Sequence, residues 1–102
     1  MRYGLKVSVL NQITAVFASS SLVDAAILYG SRAKGCHRPG SDIDITLKGE
    51  GLTLRELNRI ALALDDLLLP YTFDLSIYQH IDNPELLAHI QRVGKVLYCK
   101  SA

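Results

Sequence analysis

The chain has 102 residues, 49% of them hydrophobic, with a formal net charge of +1. That length suits a single domain, 1–102, near the lower size at which one core suffices, and the near-zero charge excludes a global field that would draw the chain onto nucleic acid or a membrane. A mean hydropathy of +0.19 is high for so small a domain, so part of the apolar surface is expected to meet a partner.

Arg2 and Lys6 precede an apolar stretch, but Asn11 and Gln12 interrupt it. The run at 7–10, which itself holds Ser8, is shorter than the about 7–15 residues of a secretory signal core and far short of the roughly 20 of a membrane span. A cytoplasmic location is therefore expected. Leu5, Val9, Ile13, Val16 and Phe17 recur at helical spacing, predicting an amphipathic helix over 5–18. An apolar run over 23–29 stops at Gly30 and reads as a buried strand. Residues 31–35 fit a short helix with Ser31 as its N-cap, and 36–41, holding Pro39 and Gly40, form a loop.

From 42 to 48 polar and apolar residues alternate, the period of a strand, with Asp42, Asp44 and Thr46 on one face and Ile43, Ile45 and Leu47 on the other. Thr53 followed three residues later by Glu56 reads as a capping box. It opens a helix whose buried stripe is Leu54, Leu57, Ile60, Ala61, Leu64 and Leu68. A third alternating segment, 72–78, places Thr72, Asp74, Ser76 and Tyr78 on one side. Asn83-Pro84 is an N-cap with proline in the first helical position, and Gly94 ends the helix it starts. Residues 96–99 add a short edge strand. The order predicts a small α/β (α+β) domain, one sheet flanked by helices. Cys36 and Cys99 have no metal-ligand spacing and read as free thiols.

Two features carry chemistry. Gly30 and Ser31 follow directly on a strand, and a phosphate chain can approach a backbone closely where no side chain intervenes. A helix beginning there presents unpaired N–H groups to an anion. The Ser31 hydroxyl adds a donor, and Arg32 could clamp a phosphate bidentately. Ten residues separate Ser31 from Asp42. Asp42 and Asp44, one residue apart on a strand, leave the same face with Cα atoms about 6.6 Å apart at ~3.3 Å rise per residue. Two carboxylates so placed suit one or two hard cations, Mg²⁺ or Mn²⁺, with substrate phosphates completing the shell. A metal pair of that kind can clamp the attacking and leaving oxygens of a displacement. Asp74, on the polar face of a strand that could lie beside 42–48, could share a metal and accept a proton from an attacking hydroxyl.

Gly30-Ser31-Arg32-Ala33-Lys34-Gly35, the ten-residue gap, Asp42-Ile43-Asp44-Ile45 and Asp74 resemble the nucleotidyltransferases of the DNA polymerase β superfamily. With this length, the chain is most similar to the minimal nucleotidyltransferase (MNT) group. The resemblance covers 23–78 and implies a mixed sheet flanked by helices. It also implies metals, two Mg²⁺ ions, on Asp42, Asp44 and Asp74, with Asp74 assisting the nucleophile and Gly30, Ser31 and Arg32 holding the triphosphate of ATP or another nucleoside triphosphate. MNT proteins pair with a helical HEPN protein, in some cases as an antitoxin that adds AMP to a tyrosine of the toxin. A non-catalytic subunit acting on its partner by contact alone is the alternative. The remaining titratable residues are read as structural. His80 and His89 are placed outside the constellation, Arg55 and Arg59 on an exposed helix face, and Tyr29 and Tyr78 in the core with hydroxyls reaching polar neighbours. The loop carrying His37 could overhang the phosphates.

Overall fold

The computed structural model describes residues 1–100. Its elements are α1 (Val7–Ala18), β1 (Ala25–Tyr29), α2 (Gly30–Lys34), β2 (Ile43–Lys48), α3 (Leu54–Asp65), β3 (Phe73–Ile77), a 3₁₀ turn at Tyr78–His80, α4 (Pro84–Val93) and β4 (Lys95–Cys99). The four strands form one mixed sheet in the order β3-β2-β1-β4. β1 runs antiparallel to both β2 and β4, whereas β2 and β3 are parallel. A parallel pair cannot be joined by a tight turn, and here the chain crosses between β2 and β3 through α3.

Period-2 alternation sorts the sheet into two faces. Ile43, Ile45 and Leu47 of β2, with Ala26 and Leu28 of β1, enter the main core with Leu10, Ile13 and Phe17 of α1 and Ile60 and Leu64 of α3. The opposite face carries a smaller cluster, in which Ile27 and Tyr29 pack under Ile90 of α4. α4 covers that face over β1, and the polar residues of β2 and β3 lie beyond it. Along them Ser76 donates to Thr46 Oγ1 at 2.9 Å, and the Lys48 ammonium lies 4.4 Å from the Tyr78 ring centre.

Several local expectations change in detail. The first helix begins at Val7, because residues 2–5 form a tight turn in which Arg2 and Leu5 exchange backbone hydrogen bonds at 2.9 and 2.8 Å. Its central residues Tyr3 and Gly4 both have positive φ, 58° and 74°, as a type I′ turn requires. The N-cap of α2 is Tyr29 rather than Ser31, and the helix starts at Gly30. β2 starts at Ile43, leaving Asp42 at its entry. Thr53 caps α3 by accepting the Glu56 N–H at 3.2 Å, but the Glu56 carboxylate does not return to Thr53. It binds Arg59 at 2.7 and 2.9 Å and accepts the Ser20 hydroxyl. Leu54 and Leu68, expected in the buried stripe of α3, are 62% and 89% exposed. Leu54 sits in the first turn, where the helix has only begun to pack, and Leu68 lies past the helix end with φ 56°. Asn83 caps α4, its Oδ1 accepting the N–H groups of Glu85 and Leu86. Among the described residues no helix is long and apolar enough to cross a membrane.

Candidate active site

Two of the three carboxylates, Asp44 and Asp74, come together at one end of the sheet. Asp44 and Asp74 are register partners on the parallel strands β2 and β3, which sets their backbones about 4.8 Å apart, side chains on one face. Tyr29, the last residue of β1, is the partner of Asp44 on the other side. Asp42 lies two residues before Asp44, where the 36–41 loop enters the strand. Asp42 and Asp74 are exposed and Asp44 is half-buried.

The turn after β1 abuts this group. Gly30 has φ 77°, and a Cβ built on it would lie 2.2 Å from Asp44 Oδ2. Glycine is thus required twice, for its backbone conformation and for the carboxylate pressed against it. The Gly30 N–H donates to His89 Nε2 at 3.1 Å, and the His89 ring stands edge-on to Tyr29, centres 6.2 Å apart at 82°. His89, set aside in the sequence as structural, therefore belongs to the site. No local signal marks it, because 59 residues separate it from the amide it binds and α4 reads as an ordinary amphipathic helix.

Charge at this end is unbalanced. Burial holds the Asp44 carboxyl above its ordinary pKa, and the negative charges of Asp74 and Asp42 raise it further. Burial also raises the Tyr29 phenol, against the effect of the Ser76 hydroxyl and reinforced by Asp74 and Asp44. A half-buried carboxylate crowded by two further negative charges is a place where a cation relieves repulsion. The donors are all carboxylate oxygens, the chemistry of Mg²⁺ and Mn²⁺ sites. Among the described residues, no three His, Cys, Asp or Glu side chains are gathered as a preformed metal cluster. The donor set fits a hard divalent ion whose remaining ligands come from substrate and water.

Arg32, expected on the sequence to clamp a phosphate, is 3% exposed. Its guanidinium donates twice to the Ser41 carbonyl, at 3.2 and 2.9 Å, and once to the Tyr3 carbonyl at 2.9 Å. It also lies 5.2 Å from the centre of the Tyr71 ring. In this arrangement Arg32 ties the N-terminal turn to the residue that precedes Asp42. His37 packs into the same region against Gly4, where a Cβ would meet its Nε2 at 2.3 Å. A cavity of about 510 Å³ lies there, lined by Arg32, His37, Arg38 and Tyr71 among others. The larger cavity, about 750 Å³, lies at the far end of the sheet beside Ala25, Lys48 and Cys99, away from the carboxylates. Cys36 and Cys99 are free and exposed.

A mixed sheet that pairs two strand carboxylates beside a glycine-serine turn defines a nucleotidyltransferase domain. Residues 11–102 match the family model described as Polymerase beta, Nucleotidyltransferase, and the chain belongs to that family. Among solved structures, a chain of a toxin–antitoxin complex with AMP-PNP has a TM-score of 0.73 at 22% identity, with 90% of this chain and 74% of that one covered. A chain from the complex of tri-AMPylated Shewanella oneidensis HEPN toxin with MNT antitoxin gives 0.68 at 20% identity, covering 91% and 71%. A chain of the MntA-HepT toxin–antitoxin complex gives 0.68 at 20%, covering 93% and 74%. These likenesses show a shared fold. No curated protein matches the chain.

Proposed function

We propose that the protein transfers a nucleoside monophosphate, AMP from ATP, to a hydroxyl of a protein partner, and that the partner is a helical HEPN toxin which the modification silences. The observation that carries this reading is the pairing of Asp44 with Asp74 on adjacent parallel strands, against the Gly30 turn that presses on Asp44. Family membership supports nucleotidyl transfer as the reaction class. The structural neighbours support the substrate and the acceptor: one was crystallised with AMP-PNP, and another holds an AMPylated HEPN toxin.

The reaction forms a bond from the acceptor oxygen to the α-phosphorus of ATP and breaks the bond from that phosphorus to the bridging oxygen of pyrophosphate. Asp42, Asp44 and Asp74 would hold the divalent ions, two Mg²⁺ or Mn²⁺, and the bound metal supplies electrostatic stabilisation of the charge that develops on the phosphate oxygens. Asp74, exposed at the start of β3, takes the proton of the acceptor hydroxyl. Gly30 lets the phosphates approach the backbone closely, and Ser31 faces them with its backbone N–H and hydroxyl at the start of α2. Arg32 acts from behind the site, through the Ser41 carbonyl it holds, keeping the loop into Asp42 in place. The half-buried position of Asp44 strengthens its interaction with any cation, since the local dielectric is lower than in water.

The test is incubation with ATP labelled on the α-phosphate, Mg²⁺ and the co-encoded partner protein. Label on a partner tyrosine, lost in Asp44→Asn, is expected. Partner silencing by contact with no label on either protein would establish the contact-only alternative instead.

A further inference from the structure

We infer that His89 is a positioning residue for the nucleotide turn: its neutral imidazole holds the Gly30 amide and thereby fixes the turn against Asp44. The inference rests on the nucleotidyltransferase reading and adds to it a residue from the far end of the chain. At the start of a helix the first N–H groups have no intrahelical acceptor. The Gly30 N–H is partly buried beneath α4, where an unmet donor carries a desolvation penalty. His89 Nε2 meets it at 3.1 Å. Since that nitrogen accepts, the imidazole proton resides on Nδ1, which defines the tautomer.

The imidazole is itself held. Its edge-on contact with Tyr29 sets the ring plane from the β1 side. α4 is capped by Asn83, and its Ile90 is buried among Ile27 and Tyr29 one residue beyond His89. The helix register therefore determines where Nε2 lies. Gly30 in turn lies directly beside Asp44, whose Oδ2 occupies the space a Cβ at this position would take, 2.2 Å from it. Release of the amide frees the turn to shift relative to Asp44, altering the space between phosphate donors and carboxylates. His89 thus couples α4 to the spacing that in-line transfer depends on, in which small displacements matter greatly.

The experiment compares wild-type protein with His89→Ala and with His89→Gln, whose side-chain oxygen can replace the Nε2 acceptor. Gly30 amide hydrogen exchange is followed by NMR without nucleotide, and ATP binding is titrated in the presence of Mg²⁺. In His89→Ala, Gly30 exchange rises about tenfold while amides within β2 keep their protection, and ATP binding weakens about tenfold, as loss of one hydrogen bond implies. His89→Gln restores most of both. In wild-type protein the ¹⁵N shifts of His89 report a proton on Nδ1. Unchanged Gly30 exchange in His89→Ala overturns the proposal. So does faster exchange with unaltered ATP affinity, or a glutamine variant no better than alanine. General loss of β2 protection in His89→Ala would mark a purely structural role and would also overturn it. If wild-type protein does not bind ATP, the nucleotidyltransferase reading fails, and Gly30 exchange still shows whether His89 holds the amide.

Discussion

The two faces of the sheet are made from the same strands and serve opposite ends. In β2, Ile43, Ile45 and Leu47 are wholly buried between α1 and α3, while Asp44, from the intervening position, reaches the face that α4 leaves partly open. One face stabilises, and the other holds like charges whose repulsion works against folding. Because alternate residues of one strand divide between the tasks, the carboxylates inherit the rigidity of the core without belonging to it. Damage to either face should therefore be separable.

Asp44→Asn gives the largest effect and the sharpest separation. It removes a charge from the crowded cluster, so transfer of nucleotide falls by about a thousandfold or more, while the thermal midpoint holds or rises. A marked fall in thermal midpoint would show that the carboxylate is structural and would break the contrast between faces. Ile45→Ala, one residue away on the buried face, should do the reverse. It destabilises by about 2–5 kcal/mol with per-molecule activity retained in whatever fraction stays folded, as read by chemical denaturation and by activity at low temperature. Arg32→Lys lies between the two. Lysine keeps the charge but lacks the fork that reaches the Ser41 and Tyr3 carbonyls, so stability falls by about 1–3 kcal/mol, and metal binding at Asp42 weakens with it. Unaltered stability would mean that the three bonds are replaceable.

The smallest effect lies outside both faces. Hydrogen bonds from Arg59 and then from Ser20 hold the Glu56 carboxyl at about 2, below its ordinary 4.5. A depressed carboxyl contributes stability that is present above its ordinary value and is lost as pH falls toward the folded one. Acid titration of the folded protein should thus show a decline between pH 4.5 and about 2, which Glu56→Gln removes. The same slope in both proteins would assign the decline to other carboxylates.

How much of this was legible in the sequence depends on where each signal is stored. The Asp42–Asp44 spacing, the alternation along β2 and β3, and the Asn83-Pro84 start of α4 are local patterns, and each element they imply is present. The site's core, Asp44 beside Asp74 with Gly30 against them, follows once those strands pair. Arg32 was harder, since its partners are the backbone carbonyls of Tyr3 and Ser41, and a carbonyl leaves no mark on residue identity. The tight turn at Tyr3-Gly4 that presents one of them was obscured by the helical pattern beginning at Leu5. His89 was not legible at all. A lone histidine on an amphipathic helix becomes informative only when the fold brings its ring to a particular amide. Leu54 and Leu68 failed for a simpler reason, as helical periodicity continues past the turns that actually touch the core.

The measurement that bears most directly on the account is whether Mg²⁺ is taken up by Asp42, Asp44 and Asp74 as one site. Titration of Mg²⁺ into ATP-bound protein, followed through the NMR resonances of the Asp42, Asp44 and Asp74 carboxyl carbons, should move all three together at one metal-dependent midpoint. Shifts confined to exposed carboxylates elsewhere on the chain, with those three unmoved, would contradict it.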